Sequence, residues 1–318
     1  MHKKRQPYFC GPFADFRDQE LIGTHFAILL PENSEDPLLR KYYAELTHKY
    51  LLHIPAGTVC TEPLTVDLPE ATTHLLVIIG KDARVEVVEI LKRSHIRHVV
   101  ELFVEDNASV NFVSVQTADR GTGVWIAQRS CVGAGAEVHW KNVTLGGEKV
   151  QQDLRSRLTG RKSVSSVDWI FYAKGAETQM LRVQNIFDAP EGGGEITIQG
   201  VAEECAHTTA RGMIEITPQG SGADTYLTAT MLMLDPTAKV DAIPGLEIRT
   251  NDVKASHSAT VTNVSEEDLF YLASRGIALR EGRRMIIEGF LGALIERFPG
   301  GKTRERVRRE IARKYESS

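Results

Sequence analysis

The sequence predicts a mainly β protein with helical regions at both ends, and three observations carry that reading. Between Leu51 and Asn263, short runs rich in Val, Ile, Thr and aromatic residues alternate with Gly, Asn and Asp. Many of these runs alternate apolar and polar residues, the period of a strand with one buried face. Helical periodicity is nearly absent from this stretch and present on either side of it.

The elements follow in order. Residues 1–50 are expected to form an N-terminal cap region. Within it, Pro37–Tyr50 (PLLRKYYAELTHKY) has apolar residues at Leu38, Leu39, Tyr42, Tyr43, Leu46 and Tyr50, a helical spacing with Pro at the tolerated first turn. Residues 51–263 form the expected β core. HLLVIIG at His74–Gly80, ARVEVVEI at Ala83–Ile90, SVNFVSVQT at Ser109–Thr117 and YLTATMLML at Tyr226–Leu234 are examples of its strands. Roughly twelve to sixteen strands fit, as a sandwich, a barrel or a parallel β-helix. Periodicity does not choose among them, and no strict repeat of fixed length is visible. Residues 264–318 read as a helical C-terminal domain. Ser265 is a good N-cap, and Glu266, Glu267 and Asp268 suit the positive end of a helix. Gly276 is placed to end it. A second helix is expected from about Leu279 to Phe298, with Ile287, Phe290, Leu291, Leu294 and Phe298 as its apolar stripe, and a third over Thr303–Glu316.

With 318 residues and 42% hydrophobic composition, the chain can bury a sizeable core. A net charge of −4 argues against a general nucleic-acid binder, which needs a basic face. Charge is uneven: Arg280–Lys314 holds eleven Lys/Arg against five Asp/Glu, a local +6 that leaves −10 elsewhere. This reads either as a solvated basic helix or as a docking surface for an acidic partner. Cys10, Cys60, Cys131 and Cys205 form no CxxC pair, which argues against a zinc site or a disulfide framework. No apolar run approaches the roughly 20 residues of a membrane span. The start, MHKKRQPYFCGPF, lacks the apolar core of a signal peptide. A cytoplasmic protein is expected, with neither nucleic acid nor membrane among its partners.

The segment LLHIPAGTVCTEPLTVDL (Leu51–Leu68) is similar to the opening of the SufB/SufD core, and the runs after it resemble that family's rungs. So does RVQNIFDAPEGGGEITIQGVAEECAHTTARGMIEITPQG (Arg182–Gly220). The clearest likeness is PGLEIRTNDVKASHSATVTNVSEEDLFYLASRGI, Pro244–Ile277. On these segments, spanning roughly Leu51–Phe298, the chain resembles the SufB/SufD family of iron–sulfur cluster assembly scaffolds, and within it SufD.

The resemblance implies a right-handed parallel β-helix between helical terminal domains. It implies C-terminal helices that dock SufC, an ABC-type ATPase. It also implies pairing through the β-helix, with a SufB-type subunit or a second copy of the chain. A transient iron–sulfur cluster or iron would then sit at the subunit interface, with none tightly bound to the isolated chain. His257 matches the SufD histidine of that interface, and a neutral imidazole suits iron; a strand-end histidine without metal is the alternative. Other family positions depart from the pattern. Ala229 stands where SufB has a core cysteine and Ser258 where it has a glutamate. Ala255 replaces a cysteine common in SufD, and no cysteine lies near Ile90–Lys92, where SufB takes up sulfur. Clusters are usually held by thiolates, so a partner would have to bring them.

Other residues complete the inventory. Cys205 and His207 are close in sequence, and alternation puts both on one strand face; a buried thiol beside a structural histidine is the alternative reading. His95 and His98 have a spacing that suits a metal on a helix but not on a strand. One of Asp235, Asp241, Glu247 and Asp252 could stand in for the missing glutamate. Trp125, Trp140 and Trp169 read as packing. No Walker motif is present, so ATP hydrolysis belongs to a partner. The leading function is therefore a non-catalytic SufD-like scaffold subunit. The alternatives are a degenerate structural or regulatory paralogue and a β-helix polysaccharide lyase or hydrolase.

Overall fold

A computed structural model describes residues 8–68, 70–92 and 95–316. An N-terminal segment carries strand β1 (Phe9–Pro12) and helices α1 (Gln19–His25) and α2 (Pro37–Glu45). Next come β2 (His48–Ile54), β3 (Leu64–Val66), β4 (Thr72–Ile79), β5 (Arg84–Leu91), β6 (Ile96–Val104), β7 (Ser109–Gln116), β8 (Gly123–Val132) and β9 (Glu137–Thr144). The series continues with β10 (Lys149–Leu158), β11 (Val164–Ala173), β12 (Thr178–Phe187), β13 (Gly193–Ala202), β14 (His207–Ile216), β15 (Ala223–Met233), β16 (Lys239–Ile248) and β17 (Val253–Asn263). Helices α3 (Glu266–Ser274), α4 (Leu279–Ile295) and α5 (Lys302–Glu316) close the chain.

Even-numbered strands from β2 to β16, with β1 at the edge, form a nine-stranded sheet; odd-numbered strands from β3 to β17 form an eight-stranded one. Apart from the antiparallel pair β1–β2, every pairing is parallel, between strands two apart in sequence. This is a parallel β-helix of about eight turns, with 48% of residues in strands. Of the three architectures left open by periodicity, the resemblance pointed to the correct one.

A backbone ladder runs along one corner. Gly57, Asp82, Asn107, Gly135, Lys162, Glu191 and Gly222 all have φ between 58° and 78°. Each amide donates to a carbonyl at the next turn's corner, as Asn107 does to Ala134 at 2.9 Å and Glu191 to Ser221 at 2.8 Å. The left-handed conformation is costly for the non-glycine residues, and this bonding from turn to turn holds it in place. The corner advances from 57 to 82, 107, 135, 162, 191 and 222, so turns run from 25 to 31 residues. That drift hides the repeat from a search at fixed period.

The buried apolar residues form several clusters, the largest of them in the lumen. Inward residues fill the lumen, with Phe112, Trp140, Trp169, Phe171 and Phe187 all fully buried. The outer face of the eight-stranded sheet packs Val113, Val143, Ile170 and Val201 against Ile287, Leu291, Leu294 and Phe298 of α4 and its C-terminal extension, and Val307 and Ile311 of α5. The outer face of the first strands of the other sheet is covered by the N-terminal segment, where Tyr42 stacks 5.4 Å from Trp125.

The helix expected over Pro37–Tyr50 stops at Glu45. From His48 the chain pairs in register with β4, and this long-range strand pairing overrides the helical spacing of Leu46 and Tyr50. Among the described residues, no helix is long and apolar enough to cross a membrane.

Candidate functional site

The last turn of the β-helix has no further rung above it. Strand β16 pairs only with β14 and β17 only with β15, so both carry an unpaired backbone edge. Inward residues that would be buried one turn earlier are uncovered here. Val240, Ala242, Leu246, Val253 and Ala255 are only partly buried against the lumen core, and Val261 is 43% exposed. This apolar end with two long open strands is where the fold is incomplete.

His257 sits in its middle. Its in-register neighbour is Leu227, which is fully buried in the lumen. Below it the same column continues through Ile196, Val167, Trp140 and Phe112. Register neighbours in a parallel sheet share a face, so His257 crowns an apolar lumen column and faces the open end. It is exposed and has no hydrogen-bond partner among the described residues. Either ring nitrogen of a neutral imidazole there is free to bind a metal brought by another molecule.

The positions around it supply no second ligand. Ala255 and Ala229 lie on the same lumen face, Ala255 beside Thr225 and Ala229 beside Ala259. Ser258 points outward, hydrogen-bonded at 3.0 Å to the hydroxyl of Tyr226. The four acidic residues near the block are engaged elsewhere. Asp235 binds Arg283 at 2.8 Å and the Glu204 amide at 2.7 Å; Glu247 binds Arg249; Asp252 binds Ser221 at 3.0 Å. Asp241 binds His207 at 2.9 Å, and that hydrogen bond holds its carboxyl below the usual range. Among the described residues, no three His, Cys, Asp or Glu side chains are grouped to hold a metal.

Cys205 and His207 do not share a strand face. Cys205 is exposed in the turn before β14, where the chain reverses direction and alternation does not apply, and His207 opens the strand. His98 is buried in the lumen, bound at 2.7 Å to both Thr73 and Glu89. That is a structural cluster, extended by Ser114 on Glu89 at 2.8 Å. Trp140 and Trp169 are core residues whose ring N–H groups donate to Ser156 at 3.1 Å and Thr144 at 3.0 Å.

Sequence reasoning missed the polar lining of the lumen. Asn142 bonds Gln128 at 2.6 Å, Thr144 bonds Gln152 at 2.7 Å and Ser130 bonds Ser156 at 2.7 Å, all buried. The available signal was polar residues at the inward positions of strands that are otherwise apolar there.

The C-terminal helices divide into two parts. Charge pairs fasten α5 and the segment after α4 to the β-helix: buried Lys314 pairs with buried Glu177, and the partly exposed Arg297 reaches buried Asp168 at 2.8 Å, which also binds Lys141. Helix α3 buries no residue. Ser265 and Asp268 close a capping box at its start, and Gly276, at φ 81°, follows its end. Phe270 is 75% exposed and Tyr271 57%, beside exposed Leu279 and Met285.

Known proteins resemble the chain over most of the β-helix. The family described as SUF system FeS cluster assembly, SufBD core domain, matches residues 65–290. A Mycobacterium bovis protein named iron-sulfur cluster assembly SufBD family protein is 27% identical over 201 residues, 63% of this chain and 24% of the relative. A Mycobacterium leprae protein of that family name is 25% identical over 266 residues, 80% of this chain and 31% of its own length. One from Staphylococcus saprophyticus is 27% identical over 201 residues, 63% and 43% of the two chains. The chain thus spans about a quarter to under half the length of these relatives. It belongs to the SufBD family of iron–sulfur cluster assembly proteins.

Proposed function

From this membership we propose that the chain is a SufD-like scaffold subunit of the SUF machinery, without catalytic activity of its own. The observation that carries the reading is the open end: two strands each with an unpaired edge, an apolar lumen and an exposed histidine with no hydrogen-bond partner among the described residues. Such an end favours covering by another β-helix, a second copy or a SufB-type subunit. In a two-fold homodimer two His257 residues would approach one seam; in a heterodimer, one. Iron or a nascent cluster is the cargo at that seam. His257 contributes a nitrogen, and the partner contributes the thiolates that this end lacks.

The exposed aromatics of α3 are the proposed dock for a SufC-type ATPase. The charge pairs of Arg297 and Lys314 would carry its movement into the β-helix. Ala229 and Ala255 favour a second reading, a structural paralogue that pairs and docks but holds no cargo. No observation favours a lyase or hydrolase.

The test is anaerobic co-purification with the SufC-type ATPase and the SufB-type protein of the same source, with iron analysis. A complex whose iron is lost in His257→Ala supports the cargo-holding scaffold. Iron retained without His257 supports the structural paralogue. Absence of any complex refutes both.

A further inference from the structure

Beyond β8, the outer face of the nine-stranded sheet exposes Thr178, Met180, Arg182 and Arg211. A cleft of about 350 Å³ opens there, lined by Arg155, Arg182 and Arg211, with Asp153, Gln184 and Glu247 among its other residues. Its carboxylates are already engaged. Asp153 pairs with Arg129 at 2.6 Å and with Arg155 at 3.1 Å. Glu247 is held by the guanidinium fork of Arg249. Gln184 is bound to Glu215 at 2.8 Å, so that carboxylate is occupied as well.

Two cations are left over. Arg182 makes a hydrogen bond to the sulfur of Met180, at 3.2 Å, and stands in register beside Asp153 of β10 without an ion pair to it; Arg211 has no ion pair among the described residues. They are in-register neighbours on β12 and β14, about 4.8 Å apart along the sheet. Like charges set directly side by side oppose each other. Two guanidinium groups at neighbouring positions of one exposed face can also offer bidentate contacts to an oxygen anion.

We propose that Arg182 and Arg211 form a binding site for an oxyanion, the phosphate or carboxylate group of a small molecule. The proposal does not rest on the pairing and docking proposed above, although one wall of the cleft, Glu247, lies on β16 at the open end. Its neighbours suit it: Gln184 offers a neutral polar rim and Met213 an apolar wall for the body of the ligand.

Isothermal titration of the 318-residue chain at low ionic strength, with inorganic phosphate and separately with succinate, tests the assignment. The proteins are the wild type, Arg182→Gln, Arg211→Gln and Arg161→Gln. Arg161 is a control, since its guanidinium is paired with Glu191 at the corner. The expected result is saturable binding of at least one anion, about tenfold weaker in Arg182→Gln and Arg211→Gln and unchanged in Arg161→Gln. Saturation by phosphate alone assigns a phosphate ester, by succinate alone a carboxylate ligand, and by both a general oxyanion site. No saturable binding of either anion, or equal binding by all four proteins, overturns the proposal. A thermal stabilisation by phosphate that is equal in all four is ion exclusion from the surface and counts against it as well.

Discussion

Gly212→Ala is a sharp test of how the last turns are packed. Gly212 lies on β14 between Val183 and Pro244 and faces Leu227 across the lumen. A Cβ placed there would stand 2.5 Å from Leu227 Cδ1 and 3.1 Å from its Cγ. Carbon atoms settle at about 3.5–4.0 Å, so Leu227 must retreat by about 1 Å, and it is fully buried. Overpacking of this kind costs about 1–3 kcal/mol. The added methyl also restricts the unfolded chain, which returns about 0.4–1 kcal/mol. The net expectation is a loss of about 1–2 kcal/mol, or about 2–3 °C in Tm for a chain of 318 residues. Leu227→Ala alone should cost about 2–5 kcal/mol through the cavity it leaves. In the double variant the methyl added at position 212 fills part of that cavity, so the two losses fall short of adding. Equilibrium unfolding in guanidinium chloride measures all three. Gly212→Ala within about 0.5 kcal/mol of wild type, with strict additivity in the double variant, would falsify this account of the lumen.

Three further predictions concern charge and the open end. Glu177→Gln should destabilise the chain by about 3–5 kcal/mol by removing the carboxylate opposite the buried Lys314 charge, and adding Lys314→Met should recover most of the loss, both read by denaturant unfolding. Burial pushes the His74 imidazole below its ordinary range despite its 2.9 Å bond to Glu101. The unfolded chain therefore binds the proton more readily. Stability from this group is complete above about pH 6.5 and falls as pH drops from there toward the depressed folded value, with a slope of at most about 1.4 kcal/mol per pH unit. A His74→Gln variant should lose that component of the slope; an unchanged profile rules His74 out as its source. Finally, Val261→Lys puts a charge on the uncovered lumen face and should abolish pairing with a second copy or a SufB-type subunit, seen as a shift to monomer mass in light scattering. Pairing at wild-type strength would mean that the seam lies elsewhere.

The strands were legible because half-buried strands alternate, and sixteen of them do lie between His48 and Asn263. Their arrangement was not legible from periodicity, since a sandwich and a solenoid bury the same alternation. The turn period stayed hidden for a physical reason: corners differ in length, and the left-handed residue is Gly57 in one turn and Asp82, Lys162 or Glu191 in others. His257 stood out among small residues, but that it faces the lumen follows only from its register with Leu227. Cys205 and His207 misled because two residues of spacing mean one face only inside a strand. Arg182 and Arg211 lie far apart in sequence, and only stacking of consecutive turns makes them neighbours.

The corner ladder has a consequence for how the molecule comes apart. Each turn is bonded only to the turns beside it, so its stability behaves as a one-dimensional chain of nearest-neighbour terms. Internal turns have two neighbours, whereas the turn made by β16 and β17 has one. Its amides should exchange with solvent first, and opening should spread from that end toward the N-terminal segment. Any subunit that covers β16 and β17 then acts as the missing neighbour. The melting temperature would then depend on the concentration of that partner.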